Sequence, residues 1–190
     1  MIKDEINKIN DEIDVIFVPS TDDLTNIYPI PQPKYNRSLQ VEGKRMHYTS
    51  NPGVMLLHGA RQNYEINLIN TDLLHYIEEN RIGLGQQDKD SLIAYFKQPF
   101  YLTNAQDEPF DETNLPGLYN NGKFGNIVVA VSSQKPPSAH EIKGKVFVSV
   151  GALGMDQPNN EDQHYLTLIS IYDGEGPVAQ RVKVESLKMG

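Results

Sequence analysis

Isoleucine recurs at positions 2, 6, 9, 13 and 16, with Lys3, Asp4, Glu5, Lys8, Asp11, Glu12 and Asp14 between. Spacings of four and three put Ile2, Ile6, Ile9, Ile13 and Ile16 on one stripe and the charges opposite, which predicts an amphipathic helix over residues 1–18. A helix of this length is unstable alone, so its stripe needs a surface to cover it. Isoleucine at both seam positions suits more than two strands, which makes the stripe a candidate association element; the alternative is a single helix packed on its own domain.

The pattern then breaks. In VPSTDDLTNIYPIPQPKY, residues 18–35, Pro29, Pro31 and Pro33 alternate and push the residues before them toward extended conformations. Residues 19–37 therefore read as a stiff arm between the helix and a body spanning 38–190. Tyr28, Pro29, Pro31 and Pro33, together with the five isoleucines, are the candidate interface residues.

The body reads as β-rich α+β: a mainly antiparallel sheet or sandwich carrying two short central helices. Strands are predicted at SLQVEGKRMHY (38–48), VMLLH (54–58), YEINLI (64–69), NIVVAVS (126–132), KVFVSV (145–150), HYLTLISIY (164–172) and VAQRVKVESL (178–187). The last two flank the Gly-rich DGEGP and predict an antiparallel hairpin. The helices are expected in TDLLHYIEENRIG, capped by Thr71 or Asp72 and stopped at Gly83, and in DSLIAYFKQP, stopped at Pro99. Long loops fill 104–124, 133–144 and 151–163.

Composition narrows the chemistry. The chain has 190 residues, no cysteine, 17 Lys plus Arg against 25 Asp plus Glu, and a mean hydropathy of −0.48. Without cysteine there is no disulfide, thiolate metal site or thiol nucleophile. The net charge of −8 with no basic block argues against nucleic acid as a partner. The longest apolar runs, such as IVVAV at 127–131, are too short to span a bilayer. No apolar stretch of signal-peptide length opens the chain, so synthesis in a cytoplasm is expected.

Several motifs invite chemistry and fail on context. GLYNNGKF (117–124) matches a phosphate loop at Gly117, Gly122 and Lys123, but Phe124 replaces the magnesium-binding hydroxyl. A strand is expected after it, where a phosphate loop needs a helix N-terminus. His58, ending VMLLHG, resembles an oxyanion loop without any G-x-S-x-G elbow. His47, His58, His75, His140 and His164 form no H-x-H or H-E-x-x-H pattern. Asp156, Asn159, Asn160, Glu161 and Asp162 are oxygen-rich but lack EF-hand spacing.

No cofactor, metal or small-molecule substrate is expected. The expected class is a non-enzymatic structural or assembly subunit, partnered by copies of itself and by other subunits. By analogy with cysteine-free, arm-bearing virion proteins, it would be a capsid-associated, neck or tail component of a tailed phage. Two other classes fit parts of the pattern. One is a glycan- or protein-binding module lined by Tyr95, Tyr101, Tyr119, Tyr165 and Tyr172. The other is a hydrolase gathering His58, His164 and the carboxylates of 107–112.

Overall fold

A computed structural model describes residues 2–20, 23, 32–35, 40–72, 125–132, 137–151 and 164–189. Helix α1 (Ile2–Asn7) is followed by strands β1 (Asp14–Phe17), β2 (Arg45–Tyr48), β3 (Gly53–His58), β4 (Asn63–Asp72), β5 (Ile127–Ser132), β6 (Ser138–Ile142), β7 (Lys145–Gly151), β8 (His164–Ile171) and β9 (Val182–Met189). A short 3-10 turn, Val178–Gln180, precedes β9.

The central sheet has five strands in the order β3-β4-β5-β7-β6. Its middle three run parallel, and each edge strand is antiparallel to its neighbour. The sequence accounts for this arrangement. A parallel strand is buried on both faces and reads as a continuous apolar run. IVVAV in β5 and VFV in β7 are such runs: Ile127, Val128, Phe147 and Val148 are wholly buried. β7 reaches its place beside β5 by a detour through β6. Lys143 and Gly144, with φ of 52° and 77°, make the tight β6–β7 turn. A two-residue hairpin loop matches the strand twist when both residues take positive φ.

Residues alternate between the two faces of the sheet. One face presents Tyr64, Ile66, Leu68, Ile127, Val129, Val146, Val148 and Val150, and the β8–β9 hairpin packs over it with Ile169, Ile171, Val182 and Val184. Val178 and Ala179 of the 3-10 turn close the same cluster. The opposite face carries Asn67, Ile69, Val128, Ala130, Phe147 and Ser149, and these too are buried. Gly125 is pinned where the chain enters β5: its amide donates to Asn67 Oδ1 at 2.6 Å. A β-carbon there would sit 2.4 Å from the Glu65 carbonyl oxygen, so no other residue fits.

The β-rich class and the antiparallel β8–β9 hairpin agree with the sequence reading. Five expectations need correction. The sheets are mixed, since three of the six strand pairings are parallel. The N-terminal helix ends at Asn7, and Ile16 lies in β1 instead. Thr71 and Asp72, read as helix caps, complete β4; the rest of both expected central helices lies outside the described residues. The 133–144 loop contains β6, and the strand expected over 38–48 is only β2, because a turn at Glu42 and Gly43 (φ 78°) interrupts it.

Candidate interaction surface

The isoleucine stripe is divided among three settings. Ile6 is buried, Ile9 and Ile16 are half-buried, and Ile13 is 53% exposed. Ile2 begins α1. The helix stops early because two groups take over its end. Asn10 Oδ1 accepts the Glu12 amide at 3.0 Å, a local bond that competes with helical continuation. Lys44 Nζ donates to the Asn7 carbonyl at 3.2 Å, to the Ile9 carbonyl, and to Asp11 Oδ1 at 2.6 Å. A cation among the last carbonyls is favourable there by charge and by hydrogen bonding.

The segment then pairs with its own body. β1 runs parallel to β2 in the register Asp14↔Arg45 to Phe17↔Tyr48. Phe17 stacks on Tyr48 at 5.3 Å between centroids. Burial of the Tyr48 phenol raises its pKa. On the exposed side, His47 Nε2 lies 2.6 Å from Asp14 Oδ1, and Arg45 Nη1 lies 3.8 Å from Asp14 Oδ2.

The arm is held by a buried amide cluster. Gln32 and Asn51 exchange both backbone hydrogen bonds, at 2.7 and 3.0 Å. Asn51 Nδ2 donates to Gln32 Oε1 and to the Asn70 carbonyl, while Asn51 Oδ1 accepts the Asn70 amide. Gln32 Nε2 reaches the Ser20 carbonyl, and Asn70 Nδ2 reaches that of Val18. Gln32 and Asn51 are wholly buried, so these bonds offset the desolvation of both amides. Pro33 beside them is exposed. Tyr28, Pro29 and Pro31 lie outside the described residues. Past Pro33, the Tyr35 hydroxyl bonds Asp23 Oδ2.

Two apolar surfaces stand open that the sequence reading missed. Val54, Leu56 and Leu57 of β3 are 43%, 52% and 41% exposed. On the outer side of the hairpin, Leu166 lies opposite Leu187, and both are exposed, as is Leu168. The signal was in the strands themselves: GVMLLH carries no charged residue, and LTL alternates with one face already committed to the core.

The hydrolase constellation is not assembled among the described residues. His58 Nδ1 lies 3.0 Å from Asn63 Oδ1, at the end of β3. That end faces the loop after β8, where the Tyr64 hydroxyl donates to the Tyr172 carbonyl at 3.2 Å. His164 opens β8 at the other end, seven residues or about 23 Å away at about 3.3 Å per residue. The 107–112 carboxylates lie outside the described residues. Among the described residues no group of three or more His, Asp or Glu is arranged for a metal ion, and no described helix is long and apolar enough to cross a membrane. Of the tyrosines proposed to line a ligand site, Tyr172 is exposed, while Tyr95, Tyr101 and Tyr119 lie outside the described residues.

One buried cation also escaped the sequence reading. Arg181 is 7% exposed and has no carboxylate partner among the described residues. Its Nη1 donates to the Tyr64 hydroxyl and to the Gly174 carbonyl at 2.9 Å, and its guanidinium carbon lies 5.3 Å from the Tyr64 ring centroid. Nε and Nη2 have no hydrogen-bond partner among the described residues.

Comparison with known proteins adds no relative: no protein-family model and no curated protein matches this chain.

Proposed function

We propose that this protein is a non-enzymatic structural subunit of an oligomeric assembly. The observation that carries the reading is the pair of open apolar strand surfaces, Val54 and Leu56 on one face of β3 and Leu166, Leu168 and Leu187 on the hairpin. Contiguous exposed apolar side chains on strands mark contact surfaces in proteins that work as parts of larger bodies. The narrower reading is a virion component, capsid-associated or in the neck or tail of a tailed phage, made in the cytoplasm and carried into the particle. It rests on analogy: an acidic, cysteine-free, β-rich body behind a proline-punctuated arm.

The partners in this reading are copies of the same chain and other subunits. The measurement that tests it is the mass in solution, by sedimentation or light scattering, from micromolar to submillimolar protein. A mass of two or more copies is expected; a single copy at every concentration refutes self-assembly. The virion reading requires the protein in purified particles that carry its gene. Its absence from them by mass spectrometry refutes that reading.

A further inference from the structure

We propose that the outer edge of β3 pairs with β3 of a second copy, antiparallel about a two-fold axis through Met55. This rests on the assembly reading and names its contact. Among the described residues β3 pairs only with β4, so its other side directs unpaired N–H and C=O groups outward. Such an edge is a template for another strand unless charges, prolines or bulges blunt it. The other edge of the sheet, β6, carries exposed Glu141 in SAHEI. β3 has no such guard along its length, since GVMLLH contains no Asp, Glu, Lys or Arg and its one titratable residue, His58, stands at the strand's end.

Charge and register select a second copy as the occupant. Each chain carries a net charge of −8, so two copies approach at least cost through an uncharged surface. A two-fold axis perpendicular to the sheet keeps each face on its own side, and an antiparallel strand then pairs residues of like parity. Centred on Met55, that pairing sets Val54 opposite Leu56 of the second copy, and Leu56 opposite its Val54. Both are exposed in the single chain and share the face away from the hairpin. On the other face Leu57 falls opposite Gly53, over which the Thr49 side chain folds with both its hydroxyl and its methyl. Two five-stranded sheets would become one of ten strands. Closed two-fold contacts of this self-complementary kind are the commonest in homo-oligomers.

The test uses the full chain and three variants: Val54→Lys, Leu56→Glu and the double variant. Each single change buries a charge opposite an apolar residue and is expected to raise the dimer dissociation constant on the order of 100-fold. The double variant sets Lys opposite Glu twice and is expected to recover the dimer in a salt-sensitive form. Because the changed positions are exposed in the monomer, melting temperature should stay near wild type; a variant that unfolds is replaced by Leu56→Lys with Val54→Glu, which tests the same register. Recovery by the double variant supports the pairing. Single variants that keep the wild-type mass place the contact elsewhere, for instance on Leu166 and Leu168. That overturns the β3 pairing while leaving the assembly reading standing, whereas a monomeric wild type overturns both.

Discussion

Removing one oxygen tests how Arg181 is held. In Tyr64→Phe the ring stays under the guanidinium, so packing and the cation–π contact persist and only the hydroxyl is lost. Arg181 has five N–H donors, of which Nε–H and the two on Nη2 are unpaired among the described residues. Loss of the Tyr64 oxygen leaves the Gly174 carbonyl as the one remaining acceptor for this buried cation among the described residues. Hydrogen bonds to charged groups contribute about 1.5–3 kcal/mol, and the neutral bond to the Tyr172 carbonyl about 0.5–1.5 kcal/mol. Tyr64→Phe should therefore cost about 2–4 kcal/mol. Arg181→Met alone removes a cation whose desolvation was incompletely offset, and should be close to neutral or stabilising. In that background Tyr64→Phe loses only the neutral bond, at about 0.5–1.5 kcal/mol. The assay is urea unfolding of the four proteins, followed by far-ultraviolet circular dichroism, since the chain has no tryptophan to report. An interaction of about 1–3 kcal/mol between the two sites is expected. Equal costs of Tyr64→Phe in both backgrounds would show that the hydroxyl does not hold the guanidinium.

Lys44→Met should loosen the first segment, exposing residues 2–13 to protease while β8 and β9 stay protected; uniform cleavage would refute a local clamp. Asn51→Ala strips partners from the Asn70 amide and carbonyl and from Gln32 Oε1, and should cost about 2–5 kcal/mol in the urea midpoint, summed from groups left unpaired. A loss under about 1 kcal/mol would mean water replaces it. Val182→Asp places a charge in the layer between hairpin and sheet and should destabilise by several kcal/mol. Lys183→Asp, at a surface position paired with Glu185, should stay within about 0.5 kcal/mol of wild type, and equal midpoints for the two would refute the hairpin's facing.

Strand positions were legible where apolar runs were dense. VMLLH, YEINLI, NIVVAVS, KVFVSV and HYLTLISIY each hold a strand within a residue or three of the expected bounds. Pairing partners were not, because a strand's own sequence does not name its neighbour. The parallel centre nonetheless left a trace, since IVVAV and VFV are apolar at successive positions rather than at alternate ones. At the N-terminus the isoleucine spacing misled because VIFV, at 15–18, already reads as a β-branched and aromatic run. Lys44, some thirty residues on, then supplies a cap that no local window contains. β6 was hidden by SAHEI, whose apolar content is too low to stand out from the prolines before it. As for the interface, Ile13 is exposed as a contact would require, whereas Ile6 is spent on the chain's own interior. The open leucines of β3 and β8 were passed over because a strand's second face looks like any other apolar position until its first face is assigned.

The two-layer packing also sets an order of events during synthesis. The sheet face made by Tyr64, Ile66, Ile127, Val146 and Val148 is encoded in full by residue 151, but its cover comes from residues 164–189. At roughly 5–20 residues per second, the ribosome needs about 2–8 s to go from residue 151 to the end of the hairpin at residue 189. For that interval each nascent chain presents this apolar face without the hairpin over it, beside the β3 edge. Neighbouring ribosomes on one message hold such chains close together, so mispairing between them competes with closure. The hairpin acts as the late-arriving latch, and whatever slows its delivery lengthens the time a chaperone must stand in for it.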